Sequence, residues 1–221
     1  MRAVLFDMLG TLVRLEDPVP RLRAELERRT GADPGEVAAA RGFSAEIGYY
    51  LEHHMEGSDP EALEDLRDRC AAELHAALGI GGYERAAVRE AMTASLEFTP
   101  FPDVAPAFHD LRGRGLRLAV ASNWDCSLPN WLARTGLGEL VDGVASSAVV
   151  GAAKPAPDVF LEALRLAGVR PEEALHVGDS LENDVEGARS AGIRPLLLVR
   201  HGEAPAGVEA VRSLLEVPSL V

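Results

Sequence analysis

Five short runs of apolar residues constrain the fold of this chain more than any other feature of its sequence. They are mostly apolar and do not alternate strictly between apolar and polar residues, which is typical of parallel strands covered by helices on both faces. Strands alternating with helical patterns predict an α/β fold with a Rossmann-like, doubly wound parallel sheet. The runs cover residues 3–6, 116–121, 144–146, 174–177 and 195–199, and the helical patterns cover 104–114, 128–135, 158–167 and 184–191.

The segment from about residue 15 to residue 98 has no strand pattern and shows helical patterns instead. Proline and glycine clusters separate these patterns, including a break at residues 79–82. We therefore expect residues 15–98 to form a helical insertion in a core made of residues 1–14 and 99–221. The expected helices cover residues 19–29, 36–55, 61–78 and 84–96.

The chain is strongly acidic, with a formal net charge of -13 over 221 residues. Nucleic acids and anionic membrane surfaces would be repelled, so neither is an expected partner. A small-molecule substrate fits better, and an anionic one needs local positive charge from a metal ion, a lysine or backbone N–H groups. The two cysteines match no metal-ligand spacing, which favours a reduced, cytoplasmic protein. Both a monomer and a homodimer remain open.

Polar residues recur where the predicted strands end. Asp7 ends the first strand, Ser122-Asn123 ends the second, and Gly178-Asp179 ends the fourth. Lys154, the single lysine among 22 basic residues, follows the third strand. The carboxyl ends of parallel strands meet at one edge of a sheet, where such folds bind their ligands. A carboxylate such as Asp7 can act there as a nucleophile and form a covalent ester.

The order of these groups resembles the haloacid dehalogenase superfamily of hydrolases over nearly the whole chain. Its four motifs match residues 7–11 (Asp-Met-Leu-Gly-Thr), Ser122-Asn123, Lys154-Pro155, and the stretch from Gly178-Asp179 to Asp184. The helical insertion resembles the family's helical cap of the first type. The resemblance thus implies a Rossmann-like catalytic core, residues 1–14 and 99–221, and a cap, residues 15–98.

The resemblance also implies roles for particular residues. Asp7 would be the nucleophile, and Lys154 would neutralise the nucleophile and the phosphate together. Thr11 and Ser122 would bind the transferring group through their hydroxyls. Asn123 and the backbone of Gly10 would lie nearby, and Arg41 in the cap is a further candidate contact to the substrate. These candidate residues are spread over more than half of the chain.

The family resemblance further implies a Mg²⁺ cofactor, which prefers oxygen ligands and keeps several waters. Asp7, Asp179 and the backbone carbonyl of Leu9 would bind it. Asp184 would bind through a water or support the ligands from behind, and we expect it also to begin the helix that follows. The ion would offset repulsion between the nucleophile and an anionic phosphate.

Leu9 departs from the phosphatase pattern, which has an aspartate at this position to protonate the leaving group. Three functions therefore stay open. The first is a Mg²⁺-dependent phosphatase for small phosphate monoesters, with an impaired or altered acid/base step. The second is a metal-independent hydrolase resembling 2-haloacid dehalogenases, whose halide leaving group needs no proton. The third is a catalytically weak member that serves in binding or regulation.

Overall fold

The computed structural model describes residues 1–79 and 82–221, which form two compact units. Met1–Arg14 and Thr99–Val221 form one, which we call the sheet unit, and Leu15–Phe98 form the other, which we call the helical unit. The predicted break at residues 79–82 includes residues 80 and 81, which lie outside the described residues.

In the described part of the sheet unit, six parallel strands form one sheet in the order β5-β4-β1-β6-β7-β8. Strand β1, Ala3–Phe6, lies near its centre between β4, Arg117–Ser122, and β6, Ala174–Gly178. This placement puts the end of β1 beside the ends of two other strands. The outer strands are β5, Gly143–Ser146, then β7, Arg194–Leu198, and β8, Ala210–Val211.

Both faces of the sheet are covered, as the continuous apolar runs predict. Successive side chains of a strand point to opposite faces. Leu5 packs in a buried cluster with Val159 and Phe160 of helix α8 (Asp158–Ala167), which covers one face. Phe6 lies with its ring 4.8 Å from that of Phe108, in helix α5 (Val104–Gly113), on the other. The predicted α/β fold is confirmed.

The remaining α-helices of the sheet unit are short and connect the strands. Helices α6, α7 and α9 cover Leu128–Arg134, Ser147–Val150 and Gly187–Ser190, and a π-helical segment covers Leu181–Glu186. Each of the five predicted strands lies within one residue of its observed bounds at both ends. The sequence did not predict β8, because its two residues follow a polar loop and carry no apolar run.

The helical unit contains four α-helices in its described residues. They are α1, Pro18–Thr30, then α2, Glu36–His53, α3, Pro60–Leu78, and α4, Arg85–Ser95. Asp59 caps α3 by accepting hydrogen bonds from the backbone N–H groups of Glu61 and Ala62, at 3.0 Å each. Two short strands, β2 (Val13–Leu15) and β3 (Phe98–Pro100), form a separate sheet where the chain enters and leaves this unit.

Candidate active site

Asp7 follows directly on β1 and is almost completely buried. Its Oδ1 atom accepts a hydrogen bond from the hydroxyl of Ser122 at 3.0 Å and one from the Lys154 ammonium at 2.5 Å. Ser122 is the last residue of β4, the strand that pairs with β1. Ser122 of the second predicted motif and Lys154 of the third therefore both contact the Asp7 carboxylate of the first motif, and they hold it in a defined orientation.

Lys154 links two carboxylates. Its buried Nζ atom lies 2.5 Å from Oδ1 of Asp7 and 2.7 Å from Oδ1 of Asp184. The side chain of Asn123 holds the lysine backbone on both sides, since it accepts from Lys154 N at 2.7 Å and donates to Lys154 O at 3.1 Å. In this structure Asn123 therefore positions the lysine, while its predicted role beside the substrate stays a prediction.

Three carboxylates come together at the ends of β1 and β6. Asp7, Asp179 and Asp184 each offer one oxygen, and these oxygens all lie within 4.8 Å of one another. Lys154 supplies one positive charge against three negative ones, so a formal excess of negative charge remains. An all-oxygen set with excess negative charge fits a hard divalent cation such as Mg²⁺. The donor chemistry therefore agrees with the predicted cofactor.

The pKa values reflect this crowding of charge. Burial raises the pKa of Asp7, an effect that Lys154 opposes and Asp184 reinforces. Asp179 reaches solvent, yet partial desolvation and the charges of Asp7 and Asp184 raise its pKa to about 6. Burial also disfavours charge on Asp184 and Lys154. For Lys154, the charges of Asp7 and Asp184 outweigh burial and raise the pKa. For Asp184, the charge of Lys154 and the hydrogen bond from His176 outweigh burial and lower the pKa.

Two glycines give the carboxylates room. Gly10 has a φ of +84°, and a Cβ atom placed on it would lie 2.1 Å from Oδ2 of Asp179. A Cβ atom on Gly178 would lie 2.1 Å from Cγ of Asp184. Distances this short do not occur between real Cβ atoms and their neighbours. Glycine is therefore required at both positions for the carboxylates to occupy the places that they have.

The loop after Asp7 carries one unusual polar atom. Thr11 is completely buried, and its hydroxyl has no hydrogen-bond partner among the described residues. Buried hydroxyls normally have a partner, so this one is available to a bound group. Leu9, two residues earlier, is 44% exposed and offers no group that could carry a proton.

The structure corrects one detail of the sequence analysis. Asp184 does not begin the helix after β6, because the π-helical segment starts at Leu181 and Ser180 caps it. The Ser180 hydroxyl accepts from the N–H of Asn183 at 3.1 Å. Asp184 lies within that segment and accepts from the Ser180 N–H at 3.0 Å. The helical turn thus directs this carboxylate back towards Lys154.

Comparison with known proteins identifies the family. The family model described as haloacid dehalogenase-like hydrolase matches residues 1–192. The chain belongs to the haloacid dehalogenase-like hydrolases. The resemblance stated from the four motifs is therefore confirmed, and the protein is a hydrolase of this family.

Two relatives show how far the similarity extends. The chain is 32% identical over 200 residues to a glyceraldehyde 3-phosphate phosphatase of Methanopyrus kandleri, covering 87% of this chain and 82% of that protein. It is 47% identical over 90 residues to human haloacid dehalogenase-like hydrolase domain-containing protein 3. That match covers 41% of this chain and only 36% of the human protein.

Solved structures of the family share the fold. A haloacid dehalogenase (HAD) phosphatase from Thermococcus onnurineus has a TM-score of 0.67 and 27% identity, with 100% of this chain and 97% of that chain covered. The L-2-haloacid dehalogenase of Xanthobacter autotrophicus has a TM-score of 0.70 and 24% identity, with 100% and 98% covered. Enzymes with two different reactions therefore share this architecture, and the second match bears on the fold alone.

Arg41 lies in the helical unit of this haloacid dehalogenase-like hydrolase, where its guanidinium binds the end of a helix. It donates to the backbone carbonyls of Ala77, at 2.5 Å, and Leu78, at 2.9 Å. These carbonyls belong to the last turn of α3 and have no partner within the helix. The contacts give Arg41 a capping role, and its predicted contact with substrate stays a prediction.

Two residues of the site region escaped the sequence analysis. His176 on β6 donates from Nε2 to Oδ1 of Asp184 at 2.9 Å, although the apolar strand around it gave no sign of such a contact. Arg200 donates to the carbonyls of Gly10 and Thr11. The available signal for Arg200 was its place just after the apolar run of β7, at the same sheet edge as Asp7.

In the described part of this hydrolase, none of the helices combines the length and apolar character needed to cross a lipid bilayer.

Proposed function

We propose that this hydrolase is a Mg²⁺-dependent phosphatase for small phosphate monoesters whose acid/base step is impaired or altered. One observation carries the proposal, namely the cluster of Asp7, Asp179 and Asp184 around Lys154. A nucleophilic carboxylate attacking a neutral carbon needs no cation, whereas one attacking a phosphate must overcome repulsion between two anions. The excess of carboxylates beside the nucleophile supports the phosphate reaction.

The first step would be attack of Asp7 on phosphorus. A bond forms between a carboxylate oxygen and phosphorus, the bond from phosphorus to the alcohol oxygen breaks, and that oxygen leaves with both electrons. Ser122 and Lys154 hold the nucleophile, and the buried hydroxyl of Thr11 would donate to a phosphate oxygen. Bound Mg²⁺ would be held by Asp7 and Asp179, with Asp184 acting through a water or supporting the ligands from behind, and would offset negative charge on the phosphate.

The second step would be hydrolysis of the aspartyl phosphate. Water attacks phosphorus, its bond to Asp7 breaks, and inorganic phosphate leaves with the carboxylate restored. Both steps move a proton, first to the leaving oxygen and then from water. Leu9 can do neither, and general acid–base help is worth about 10² to 10⁴ in rate. Substrates with acidic alcohols, which leave without a proton, are therefore the expected good substrates.

The relatives support the same reaction class. The Methanopyrus kandleri relative, matched over most of both chains, is named a glyceraldehyde 3-phosphate phosphatase. Glyceraldehyde 3-phosphate is a small phosphate monoester. We propose that residues 15–98 act as a cap that selects the substrate in this chain too, and that Arg41 is a candidate contact there. The backbone carbonyl of Leu9 is proposed as a further ligand of the metal.

A second function, metal-free hydrolysis at carbon, is favoured by one observation. Leu9, two residues after the nucleophile, carries an exposed apolar side chain, which would suit loss of a halide that needs no proton. This second function does not account for Asp179, because a metal-free enzyme does not require that carboxylate. A third function, binding without catalysis, follows from the missing acid alone.

Turnover of p-nitrophenyl phosphate tests the proposal, because its phenolate leaves without protonation and Leu9 cannot mask activity. The wild-type protein and Asp7→Asn are assayed with Mg²⁺ and with EDTA, and circular dichroism checks their folding. We expect turnover that depends on Mg²⁺ and falls by at least about 10³ in Asp7→Asn, as loss of a nucleophile requires.

The control is Asp158→Asn, a substitution at the start of α8, which should keep wild-type turnover. Turnover by folded wild-type protein that ignores both EDTA and Asp7→Asn would contradict the proposal. Release of halide from 2-chloropropionate without metal would instead support the second function. Absence of both reactions would support the third.

A further inference from the structure

We propose that Arg200 is a positioning residue that fixes the loop between Asp7 and Thr11 in its reactive geometry. This inference rests on the proposed function, because it assigns Arg200 a part in the same reaction. Arg200 follows β7 and lies close in space to a loop 190 residues earlier in the chain. It would act through the backbone of that loop and not by touching the substrate.

The guanidinium donates hydrogen bonds to two consecutive backbone carbonyls of the loop. Nη2 of Arg200 donates to the carbonyl oxygen of Thr11 at 2.7 Å, and Nε donates to that of Gly10 at 3.3 Å. These two residues lie between the nucleophile and β2. Fixing both carbonyls fixes the orientation of the peptide planes next to the buried Thr11 hydroxyl.

The loop needs such support because of its own conformation. Gly10 has a φ of +84° and packs against Asp179 with no room for a side chain. The loop closes through a few local hydrogen bonds, in which Gly10 N donates to Val13 O, and Leu12 N and Val13 N donate to Met8 O. The Thr11 hydroxyl has no partner among the described residues that would fix it, so the contact with Arg200 would add the support that holds this part of the loop.

Two residues hold Arg200 itself. Its Nη1 and Nη2 atoms donate to the two oxygens of Asp103, at 3.0 Å and 3.1 Å. Asp103 also accepts from the Ser213 hydroxyl and the Leu214 N–H, at 2.9 Å each. The guanidinium carbon lies 3.7 Å from the centre of the Phe101 ring, a distance typical of a cation–π contact.

The charge balance explains why Arg200 would position the loop instead of binding phosphate. The bidentate contact with Asp103 neutralises the guanidinium locally, so its positive charge is already paired. What remains is a rigid fork with donors at fixed angles, which a lysine cannot reproduce. The guanidinium is fixed by Asp103 on one side and binds the carbonyls of Gly10 and Thr11 on the other, an arrangement that we call the clamp.

Three variants test the clamp. Arg200→Met removes the fork, and Arg200→Lys keeps the charge but can reach only part of the contacts. The matched control is Arg112→Met, since Arg112 also binds a backbone carbonyl, Leu140, and a carboxylate, Asp142, away from the loop. The readouts are kcat and KM for p-nitrophenyl phosphate well below the unfolding temperature, and amide hydrogen exchange of the peptide covering residues 8–13.

We expect Arg200→Met to lower kcat by about 10-fold to 100-fold, because displacing reacting groups by about 1 Å costs about 10²-fold. KM should change by less than about 3-fold, since no charge that binds the substrate is lost. Arg200→Lys should fall between the wild type and Arg200→Met. Exchange at residues 8–13 should be faster in both Arg200 variants and unchanged in Arg112→Met.

Wild-type kcat and wild-type exchange in a folded Arg200 variant would overturn the clamp, as would an equal loss in Arg112→Met. If Arg200→Met does not fold, Arg200→Lys decides by the same two readouts. Failure of the proposed function is distinguishable, because wild-type protein would then show no turnover dependent on Asp7. The exchange data would still decide whether Arg200 holds the loop.

Discussion

Leu9 places an apolar, exposed side chain two residues after the proposed nucleophile, where a carboxyl group would be able to move protons. Its backbone carbonyl, which we propose as a metal ligand, does not depend on the side chain. On the proposed function, Leu9 would therefore keep metal binding and lose proton transfer. Alkyl alcohols leave poorly without a proton. The rate of hydrolysis should therefore be lowered more for alkyl phosphates than for aryl phosphates.

Leu9→Asp should raise kcat for an alkyl phosphate such as glycerol phosphate by about 10² or more, within the range that general acid–base catalysis supplies. It should raise kcat for p-nitrophenyl phosphate much less, since phenolate needs no proton. Steady-state assays of both substrates with Mg²⁺ measure the difference. Leu9→Asn is the control, because it has the size and polarity of aspartate but no ionisable carboxyl group to act as acid or base. Equal gains in the two variants would contradict this account of Leu9.

At the scale of elements, the ends of helices and strands determine where the charged groups lie. The π-helical segment after β6 starts at Leu181, so that Asp184 turns back towards Lys154 instead of capping a helix. π-Helical turns are rare and often found at functional sites. In the helical unit, Asp59 caps α3 in the ordinary way, and this contact offers a direct measure of that unit's stability.

Asp59→Ala should destabilise the helical unit by about 1 kcal/mol, the usual effect of losing an N-cap side chain. Two backbone N–H groups, those of Glu61 and Ala62, lose their acceptor in this variant. Urea unfolding followed by circular dichroism at pH 7 measures the change. Asp59→Asn keeps an acceptor oxygen and should lie within about 0.5 kcal/mol of the wild type. The same loss in both variants would show that the cap is not the cause.

At the scale of the whole molecule, stability depends on how charge is distributed between surface and interior. Most of the many acidic groups reach solvent, but Glu46 on α2 is only 4% exposed. Its Oε2 atom has no hydrogen-bond partner among the described residues. Burial raises the pKa of Glu46 to about 7, from an ordinary value of 4.5. Between pH 4.5 and about 7, Glu46 therefore keeps a proton in the folded state that it has already released in the unfolded state.

The contribution of Glu46 to folding stability is consequently greatest below pH 4.5 and falls as the pH rises to 7, above which it is constant. The pKa difference corresponds to a loss of roughly 3 kcal/mol over that range. The difference in unfolding free energy between wild type and Glu46→Gln, from urea titrations at several pH values, should follow this curve. Glu36→Gln, at an exposed position of the same helix, is the control variant. A flat difference for Glu46→Gln between pH 4.5 and 7 would contradict the prediction.

Much of the fold could be predicted from the sequence because it depends on local patterns. Continuous apolar runs identify buried parallel strands, and glycines and prolines mark where helices end. The order of the motifs was sufficient to place Asp7, Ser122, Lys154 and Asp179 at one sheet edge. The short strand β8 and the start of the helix before Asp184 were missed, since both depend on pairing and capping contacts made after folding.

The sequence by itself determined which residue types stand at the strand ends, including an apolar leucine two residues after Asp7. Only the tertiary structure decided which of them touch. The bond from Lys154 to Asp184 and the grip of Arg200 on Gly10 and Thr11 depend on distances between segments far apart in the chain. Those distances are set by the packing of strands and helices around one core, and no local pattern of residues encodes them.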